Sequence, residues 1–243
     1  AMNNLELADK AIAVAKNYKT LYVMGCFGAP LNDKNKNRYT HNNAYNMQAS
    51  RTKMINSATA DTFGFDCVCF VKGLLWGWNG NKNHIYGGAE YCSNNVPDIS
   101  TEGLISVCHD VSTDFSNIQV GEVVWLKGHV GLYVGNGLVV ECTPAWKNCV
   151  QLTALANIGT KAGYNSRRWA KHGKMPFIEY KKPTPTPTPT PQPTNSLKQL
   201  DNAVTVVANE VIKGVYGSGE KRKQALGEYY RVVQDKVNKI LGA

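Results

Sequence analysis

The feature that most constrains this chain is the segment KKPTPTPTPTPQPTN at residues 181–195, in which proline recurs at every second position. Proline has a fixed φ and no backbone N–H, so such a segment forms neither an α-helix nor a central strand of a sheet. We expect an extended, semi-rigid spacer of about 3.1 Å per residue. The sequence therefore predicts two folded domains, residues 1–180 and 197–243, joined by a linker at residues 181–196.

The chain of 243 residues carries a formal net charge of +9 that is spread along its length. Such an excess favours attraction to a polyanion without sequence-specific recognition, and nucleic acid, anionic lipid and a teichoic-acid-bearing wall all fit it. No apolar run reaches the roughly 18 residues of a membrane helix, so no membrane insertion is expected. The N-terminus lacks the basic start and the unbroken apolar centre of a signal peptide, and we expect synthesis in the cytoplasm.

The seven cysteines are an odd number, so they cannot all pair within the chain. Without an export signal we interpret them as free thiols of a reducing cytoplasm. A zinc site is not expected, because Cys67 and Cys69 lack the C-x-x-C spacing and a matching second pair. Burial as small apolar side chains is the interpretation favoured for Cys26, Cys92, Cys108 and Cys149.

The stretch FGFDCVCFVKG at residues 63–73 marks the start of a helix. Asp66 is a natural N-cap, which puts Cys67 in the first turn. The helix dipole and the unpaired N–H groups there favour negative charge, so we expect a lowered pKa for Cys67 and a nucleophilic thiolate. Cys69 lies about 200° further around the helix and should face a different environment.

A thiolate nucleophile needs a base, and His129 stands out among the five histidines. It begins HVGLYVGNGLVVECT, a predicted hairpin that continues an antiparallel meander from the strand EVVWL. If NG alone forms the loop, Cys142 pairs across from Gly131; if GNG forms it with a bulge, Glu141 does. In the second case Glu141 can reach the imidazole diagonally and orient it, as the third group of a Cys-His triad does.

The rest of the large domain carries weaker signals. An N-terminal helix is predicted by one apolar face that contains Leu5, Ala8, Ile12 and Ala15. Residues 31–62 are polar and rich in asparagine, with Asp33, Asn35 and Asn37 at alternate positions as in a calcium loop. The interleaved basic residues and the missing downstream acid favour a solvated loop instead.

Beyond the linker, apolar residues at helical spacing predict three helices. The first contains Val204, Val207, Ala208, Val211 and Ile212 and ends at Gly214. The second covers roughly residues 219–226, and the third contains Tyr230, Val233, Val237 and Ile240. We expect a small three-helix bundle with a thin core, too small for a catalytic domain.

The segments LYVMGCFGAP, FDCVCFV and HVGLYVGNGLVVE, in this order, make the large domain resemble the NlpC-type peptidoglycan hydrolases and their CHAP relatives. The resemblance implies a papain-like α+β fold with an antiparallel sheet. In it Cys67 is the nucleophile, His129 the base and Glu141 the third residue, where the NlpC group often has His and CHAP domains often have Glu. Tyr22 matches the family tyrosine that lies near the nucleophile and helps to bind the substrate carbonyl. A long insertion separates Tyr22 from Cys67, and Cys69 replaces a small glycine.

Residues 200–241 resemble a second family, the short wall-binding repeats at the C-terminus of certain phage lysozymes, through the stretch VANEVIKGVYGSGEKRKQALGEYYRVVQDKVNKIL. The resemblance implies binding of peptidoglycan muropeptide. Tyr216, which stands where these repeats usually have Trp, is the candidate for sugar stacking, and Arg222 is the candidate for carboxylate pairing. Packing of Tyr216 in the small core is an equal alternative.

Together the two resemblances imply an endolysin-like hydrolase that cleaves an amide bond of bacterial peptidoglycan after release from the cytoplasm. The bond is either one within the stem peptide or the N-acetylmuramoyl-L-alanine amide. No metal, cofactor or nucleic acid is expected, and the oligomeric state is open. Trp125 and Trp146 are candidates for the substrate groove, with core packing as the alternative. The competing hypotheses are a non-catalytic wall-binding protein and an acyltransferase or deamidase on the same scaffold.

Overall fold

The computed structural model describes residues 2–182 and 195–242, with side chains given from residue 200 onward in the second range. The chain divides into two compact units, residues 1–182 and 183–243. The predicted extended spacer falls on residues 183–194, which lie outside the described residues.

The described part of the first unit combines five α-helices with two β-sheets, which confirms the predicted α+β class. The helices are α1 Asn4–Asn17, α2 Asp33–His41, α3 Ala49–Ser57, α4 Cys67–Leu75 and α5 Thr101–Val107. The strands are β1 Thr20–Tyr22, β2 Phe27–Pro30, β3 Phe63–Phe65, β4 His109–Ser112, β5 Val123–Leu126, β6 His129–Gly135, β7 Leu138–Thr143, β8 Cys149–Leu155, β9 Ser166–Arg167 and β10 Lys171–Lys174.

The larger sheet has seven strands in the order β4-β10-β5-β6-β7-β8-β9, and the smaller one has the order β1-β3-β2. Strands β5, β6 and β7 form the predicted antiparallel meander, in which Leu132 pairs with Val123 on one side and Val140 on the other. Two pairings depart from an antiparallel sheet, because β1 runs parallel to β3 and β8 runs parallel to β9.

The N-terminal helix α1 is confirmed, but its buried face differs from the predicted one. Of the predicted stripe only Ala8 is buried. Helix α1 contacts α4 as well as β6, β7 and β8, so the side chains that face these neighbours are covered. The buried residues of α1 are Asn4, Leu7, Ala8, Ala11 and Val14.

The prediction of a solvated loop at residues 31–62 is wrong, because helices α2 and α3 lie there. Asn32 caps α2 by accepting a hydrogen bond from the N–H of Asn35 at 3.0 Å. Tyr39 and Ile55 are buried in a small cluster of their own. Asn32 thus acts as an N-cap and Asn35 as a buried polar group, in a helix that has few apolar residues. Within residues 2–182 and 195–242, no group of three His, Cys, Asp or Glu side chains is arranged to hold a metal ion.

Helix α4 is buried along its whole length, which accounts for its nearly continuous apolar sequence. Phe70 and Leu74, predicted to share a face, are both buried in the main core together with Val130 and Leu132 of β6. Full burial of each such side chain contributes about 1.5–3 kcal/mol. This packing holds the first turn of α4 against the start of β6.

The seven cysteines are all free thiols. Cys26 is buried as predicted, and Cys108 and Cys149 are half-buried. The predicted burial of Cys92 is wrong, since its side chain is exposed. Cys92 lies in the irregular segment between α4 and α5 and has a left-handed backbone with a φ of 58°, so no regular element covers it.

The second unit contains α6 Asn195–Ile212, α7 Glu220–Leu226 and α8 Tyr230–Leu241, with a 3-10 turn at Gly227–Tyr229. Helices α6 and α8 pack together and are joined by an ion pair between Lys236 and Asp201 at 2.6 Å. The buried apolar side chains of the second unit are Ala208, Val211, Leu226, Val233 and Val237. In the described part of the chain no helix is both long and apolar enough to cross a lipid bilayer.

Candidate active site

Cys67 is the first residue of helix α4, as predicted. The N-cap Asp66 accepts a hydrogen bond from the backbone N–H of Cys69 at 2.7 Å. The Cys67 sulfur lies 4.0 Å from the carbonyl oxygen of Gly128, the residue directly before His129. The packing of α4 on β6 therefore brings the predicted nucleophile to the strand that starts with the predicted base.

The expectation of a lowered pKa for Cys67 is wrong. Burial raises the pKa of this thiol to about 12, and the negative charge of Asp66 adds to the rise. Hydrogen bonds from the backbone N–H groups of Val130 and Val68 oppose the rise without cancelling it. The helix dipole favours a thiolate, but the residue is only 6% exposed and has lost the water that would stabilise the charge. The resting side chain is a neutral thiol.

The hairpin that follows His129 has the shorter of the two predicted loops, Asn136 and Gly137, because Gly135 pairs with Leu138. Its register shifts between Tyr133 and Gly135, so a bulge accompanies the turn. Continuing the pairing of Leu132 with Val140 puts Glu141 opposite Gly131, as the bulged alternative predicted. A Cβ at Gly131 would lie 2.7 Å from Val139 and 3.2 Å from Trp169, so only glycine fits at this position.

Glu141 reaches the imidazole across this glycine. Its Oε1 lies 3.2 Å from Nε2 of His129, and its Oε2 accepts a hydrogen bond from the hydroxyl of Thr153 at 3.0 Å. The carboxylate is fully buried. Burial alone would raise the pKa of Glu141, but hydrogen bonds from His129 and Arg167 lower it below its ordinary value. Glu141 is therefore an ionised group that orients His129.

Arg167 and Trp169 belong to this cluster, and the sequence analysis did not find them. Arg167 Nε donates to both oxygens of Glu141, at 2.8 and 3.1 Å. The Trp169 ring stacks on the imidazole of His129, with centroids 5.3 Å apart and planes 12° apart. The available signal was the stretch SRRWAKHG, in which basic residues flank a tryptophan after a polar turn. That stretch does not indicate which strand it joins.

One nitrogen of the imidazole, Nδ1, has no hydrogen-bond partner among the described residues. Among the hydrogen bonds of the described residues, none involves Nδ1 of His129 and none joins the imidazole to the Cys67 sulfur. The turn before His129 is held by Glu102, which accepts a hydrogen bond from the N–H of Gly128 at 2.8 Å. The site thus presents a thiol and an unbonded imidazole nitrogen at the same strand start.

Tyr22 is buried at the end of β1. Burial raises its pKa. Tyr22 pairs with Phe65, two residues before Cys67, and Tyr22 and Cys67 belong to the same core cluster. The guanidinium of Arg51 packs over the Tyr22 ring at 5.7 Å and also donates to the Tyr22 carbonyl oxygen. Despite the long insertion, the fold brings Tyr22 close to Cys67, and its role in binding a carbonyl stays a prediction.

The two tryptophans proposed for the groove lie in different surroundings. Trp146 is 47% exposed and has a left-handed backbone with a φ of 55°, which is strained for a bulky residue. Its ring lies 4.9 Å from the guanidinium of Arg167, next to the site. Trp125 is half-buried, packs against the main core and lies 4.9 Å from the ammonium of Lys171. Only Trp146 therefore borders the cluster around Glu141.

In the second unit, the predicted sugar-binding and carboxylate-binding side chains make internal contacts. Tyr216 packs against the small core and donates its hydroxyl to Glu210 at 2.8 Å. Arg222 donates to the carbonyl oxygen of Gly217 at 3.0 and 3.1 Å and to Gln234 at 3.1 Å. Both residues help to hold the helices together, and their binding roles stay predictions.

A cavity of about 480 Å³ opens beside the first turn of α4. Cys69 lines this cavity, whereas the Cys67 sulfur lies against β6. The two cysteines therefore face different environments, as their separation on the helix predicted. Cys69 offers a buried thiol in the same helix for comparison with Cys67.

Comparison with known proteins gives one family match. Residues 206–241 match the model of the CW_7 repeat, a cell-wall repeat. This match lies within the second unit and supports a cell-wall-related function for the chain. No curated protein sequence matches the chain.

Among solved structures, the chain is similar to NlpC2 from Trichomonas vaginalis, with 14% sequence identity and a TM-score of 0.35. The alignment covers 72% of this chain and 47% of that one, so this chain spans about half the length of that protein. A likeness of this degree assigns neither a fold family nor an activity.

Proposed function

We propose that the first unit is a papain-like cysteine hydrolase that cleaves an amide bond of bacterial peptidoglycan and that the second unit holds it on the wall. The observation that carries the proposal is the bond between Nε2 of His129 and the buried Glu141, with Nδ1 open beside the helix start that bears Cys67. The CW_7 repeat supports the wall as the location of the substrate. Synthesis in the cytoplasm and action after release complete the endolysin-like proposal.

In the proposed reaction the neutral Cys67 thiol gives its proton to Nδ1 of His129 while the sulfur attacks the amide carbonyl. Glu141 stabilises the imidazolium that forms. The backbone N–H of Cys67 at the helix start donates to the oxyanion, with the Tyr22 hydroxyl as a second donor. The imidazolium then protonates the leaving amine. Water, deprotonated by His129, hydrolyses the thioester and restores the thiol.

The test is mass spectrometry of purified peptidoglycan after digestion with the wild-type protein, Cys67→Ala and Cys69→Ala. We expect cleavage by the wild type, none by Cys67→Ala and substantial cleavage by Cys69→Ala. A new amino terminus on a bridge residue identifies an endopeptidase, and glycan separated from intact stem peptide identifies an amidase. Cleavage by Cys67→Ala with an inactive Cys69→Ala would refute the assignment.

The role of the second unit is tested by deleting residues 183–243. We expect sedimentation with purified walls to fall more than turnover of soluble muropeptide, because the CW_7 repeat lies in the deleted part. An equal loss of both would indicate that these residues belong to the catalytic unit.

A second candidate function is wall binding without catalysis. The observation that favours it is the burial of Cys67, which raises its pKa to about 12 and keeps the resting thiol neutral. Under this alternative the wild type and Cys67→Ala bind walls equally, and neither releases soluble fragments.

A further inference from the structure

The carboxylate of Glu141 has three side-chain partners, namely His129, Arg167 and the hydroxyl of Thr153. Besides His129, the Arg167 side chain of β9 approaches it with two nitrogens: Nε donates at 2.8 and 3.1 Å, and Nη2 lies 2.8 Å from Oε1. Glu141 is 0% exposed, so water does not compensate its charge. Its negative charge therefore has to be balanced by a neighbouring side chain.

Packing holds Arg167 in place. Its guanidinium lies between two indole rings, 4.9 Å from the Trp146 centroid and 5.7 Å from the Trp169 centroid. Nη2 also donates to the hydroxyl of Thr143 at 3.4 Å. Since Trp169 in turn stacks on His129, the arginine, the carboxylate and the imidazole form one packed group.

The partners of the carboxylate determine whether a positive charge on the imidazole is needed to balance it. A buried carboxylate that had an imidazole as its single partner would favour the imidazolium, because an unpaired buried charge is costly. An arginine keeps its proton at every accessible pH and can balance the carboxylate alone. A neutral imidazole, with Nε2–H donating to Glu141, then leaves the lone pair of Nδ1 free.

We propose that Arg167 is a positioning residue that neutralises Glu141 and so keeps His129 uncharged, with Nδ1 ready to accept the Cys67 proton. A proton acceptor is what a neutral resting thiol requires, and this consequence rests on the proposed function. Without Arg167, the imidazole would be the one remaining partner of the carboxylate able to supply a positive charge.

The other titratable groups near His129 come from two elements and a turn. Cys67 of α4 lies against the Gly128 carbonyl and Glu102 of α5 accepts from the Gly128 N–H, while Lys127 is adjacent in the chain. Glu102 and Lys127 are exposed, and solvent screens their charges. Arg167 and Glu141 therefore dominate the charge that the imidazole experiences.

The experiment is an NMR titration of the His129 ring nitrogens in the full chain, with the signals assigned by comparison with His129→Gln. In Arg167→Gln we expect the titration midpoint of His129 to rise by about one pH unit or more, since a cation has been removed. Arg167→Lys keeps the charge and should stay within about 0.3 unit of the wild type. The matched control is Arg168→Gln, an exposed neighbour that donates only to the Ala156 carbonyl at 3.4 Å, and it should leave the midpoint unchanged.

An unchanged midpoint in Arg167→Gln would overturn the proposal. If that variant does not fold, Arg167→Lys decides: a midpoint near that of the wild type supports the assignment, and a rise of a full unit contradicts it. The titration does not depend on hydrolysis. If the wild type does not cleave peptidoglycan but the His129 midpoint still rises in Arg167→Gln, the proposed function is refuted and the role of Arg167 is retained. In an active enzyme, the acidic limb of the pH–rate profile of Arg167→Gln should move upward with the midpoint.

Discussion

The larger unit contains two pairs of histidine and glutamate, and they are bonded in different ways. In the first, His172 on β10 has both ring nitrogens occupied: Nδ1 lies 2.6 Å from Glu122, and Nε2 lies 2.8 Å from the carbonyl oxygen of Asp114. Both side chains of the pair are only 2% exposed. This imidazole cannot exchange a proton without breaking a hydrogen bond in the interior.

The second pair, His129 and Glu141, has one bonded nitrogen and one open one, and its imidazole is 13% exposed. Arg167 shares the carboxylate of this pair, whereas in the described part of the chain Glu122 has no Lys or Arg at ion-pair distance. Burial would lower the pKa of His172, but the bond to Glu122 raises it above the ordinary value. The same two side chain types thus make an internal ion pair at one place and a potential proton acceptor at the other.

The largest expected effect separates the two histidines by activity. His129→Gln should lower the release of soluble fragments from walls by at least about 100-fold, because the proposed general base is lost. His172→Gln should retain activity at temperatures where it stays folded. Turbidity of a wall suspension measures both, and an active His129→Gln protein would remove the distinction between the pairs.

The second-largest expected effect distinguishes the two histidine–glutamate pairs by their contributions to the free energy of unfolding. His172→Gln leaves Glu122 as a buried carboxylate without its cationic partner, and we expect the free energy of unfolding to fall by about 3 kcal/mol. His129→Gln should cost less than about 1 kcal/mol, because Arg167 still balances Glu141. Urea unfolding followed by tryptophan fluorescence gives both values. Equal losses would show that the two pairs contribute alike to the fold.

Alkylation tests the resting state of Cys67 and His129. Because the pKa of Cys67 is raised to about 12, its reaction with iodoacetamide should be slow at pH 7 and should accelerate about tenfold per pH unit toward that value. The exposed Cys92 should react first. Peptide mass spectrometry resolves the sites. Preferential labelling of Cys67 near pH 6 would indicate a thiolate–imidazolium pair at rest, contrary to a neutral His129.

The smallest effect is a pH dependence of stability that belongs to His172. Its pKa in the folded protein lies above that in the unfolded chain, about 6.5. Its contribution is therefore complete below about pH 6.5 and is lost as the pH rises through the folded value. Urea midpoints measured from pH 5 to pH 9 should decline for the wild type and for His129→Gln, and the decline should be weaker for His172→Gln. An identical decline in all three proteins would assign it to other groups.

Signals carried by neighbouring residues predicted much of the site. Asp66 before Cys67 predicted the helix start, since an N-cap acts within one turn. The glycines around Asn136 predicted a hairpin in one of two registers, and a bulge between Tyr133 and Gly135 selects the register that puts Glu141 within reach of His129. Where apolar anchors were few, as in α2 and α3, the same kind of analysis predicted a loop in place of two helices.

The sequence by itself therefore determined the helix that begins at Cys67, the meander that begins before His129, and the apolar spacing of the second unit, because each depends on residues within a few positions of one another. Only the tertiary structure decided that Cys67 is a neutral thiol, that Arg167 balances Glu141 and that Trp169 covers His129. These depend on which distant strands meet and on how much water they exclude. The burial of a charge and the partner that balances it are properties of the packed interior, and no local pattern in the chain encodes them.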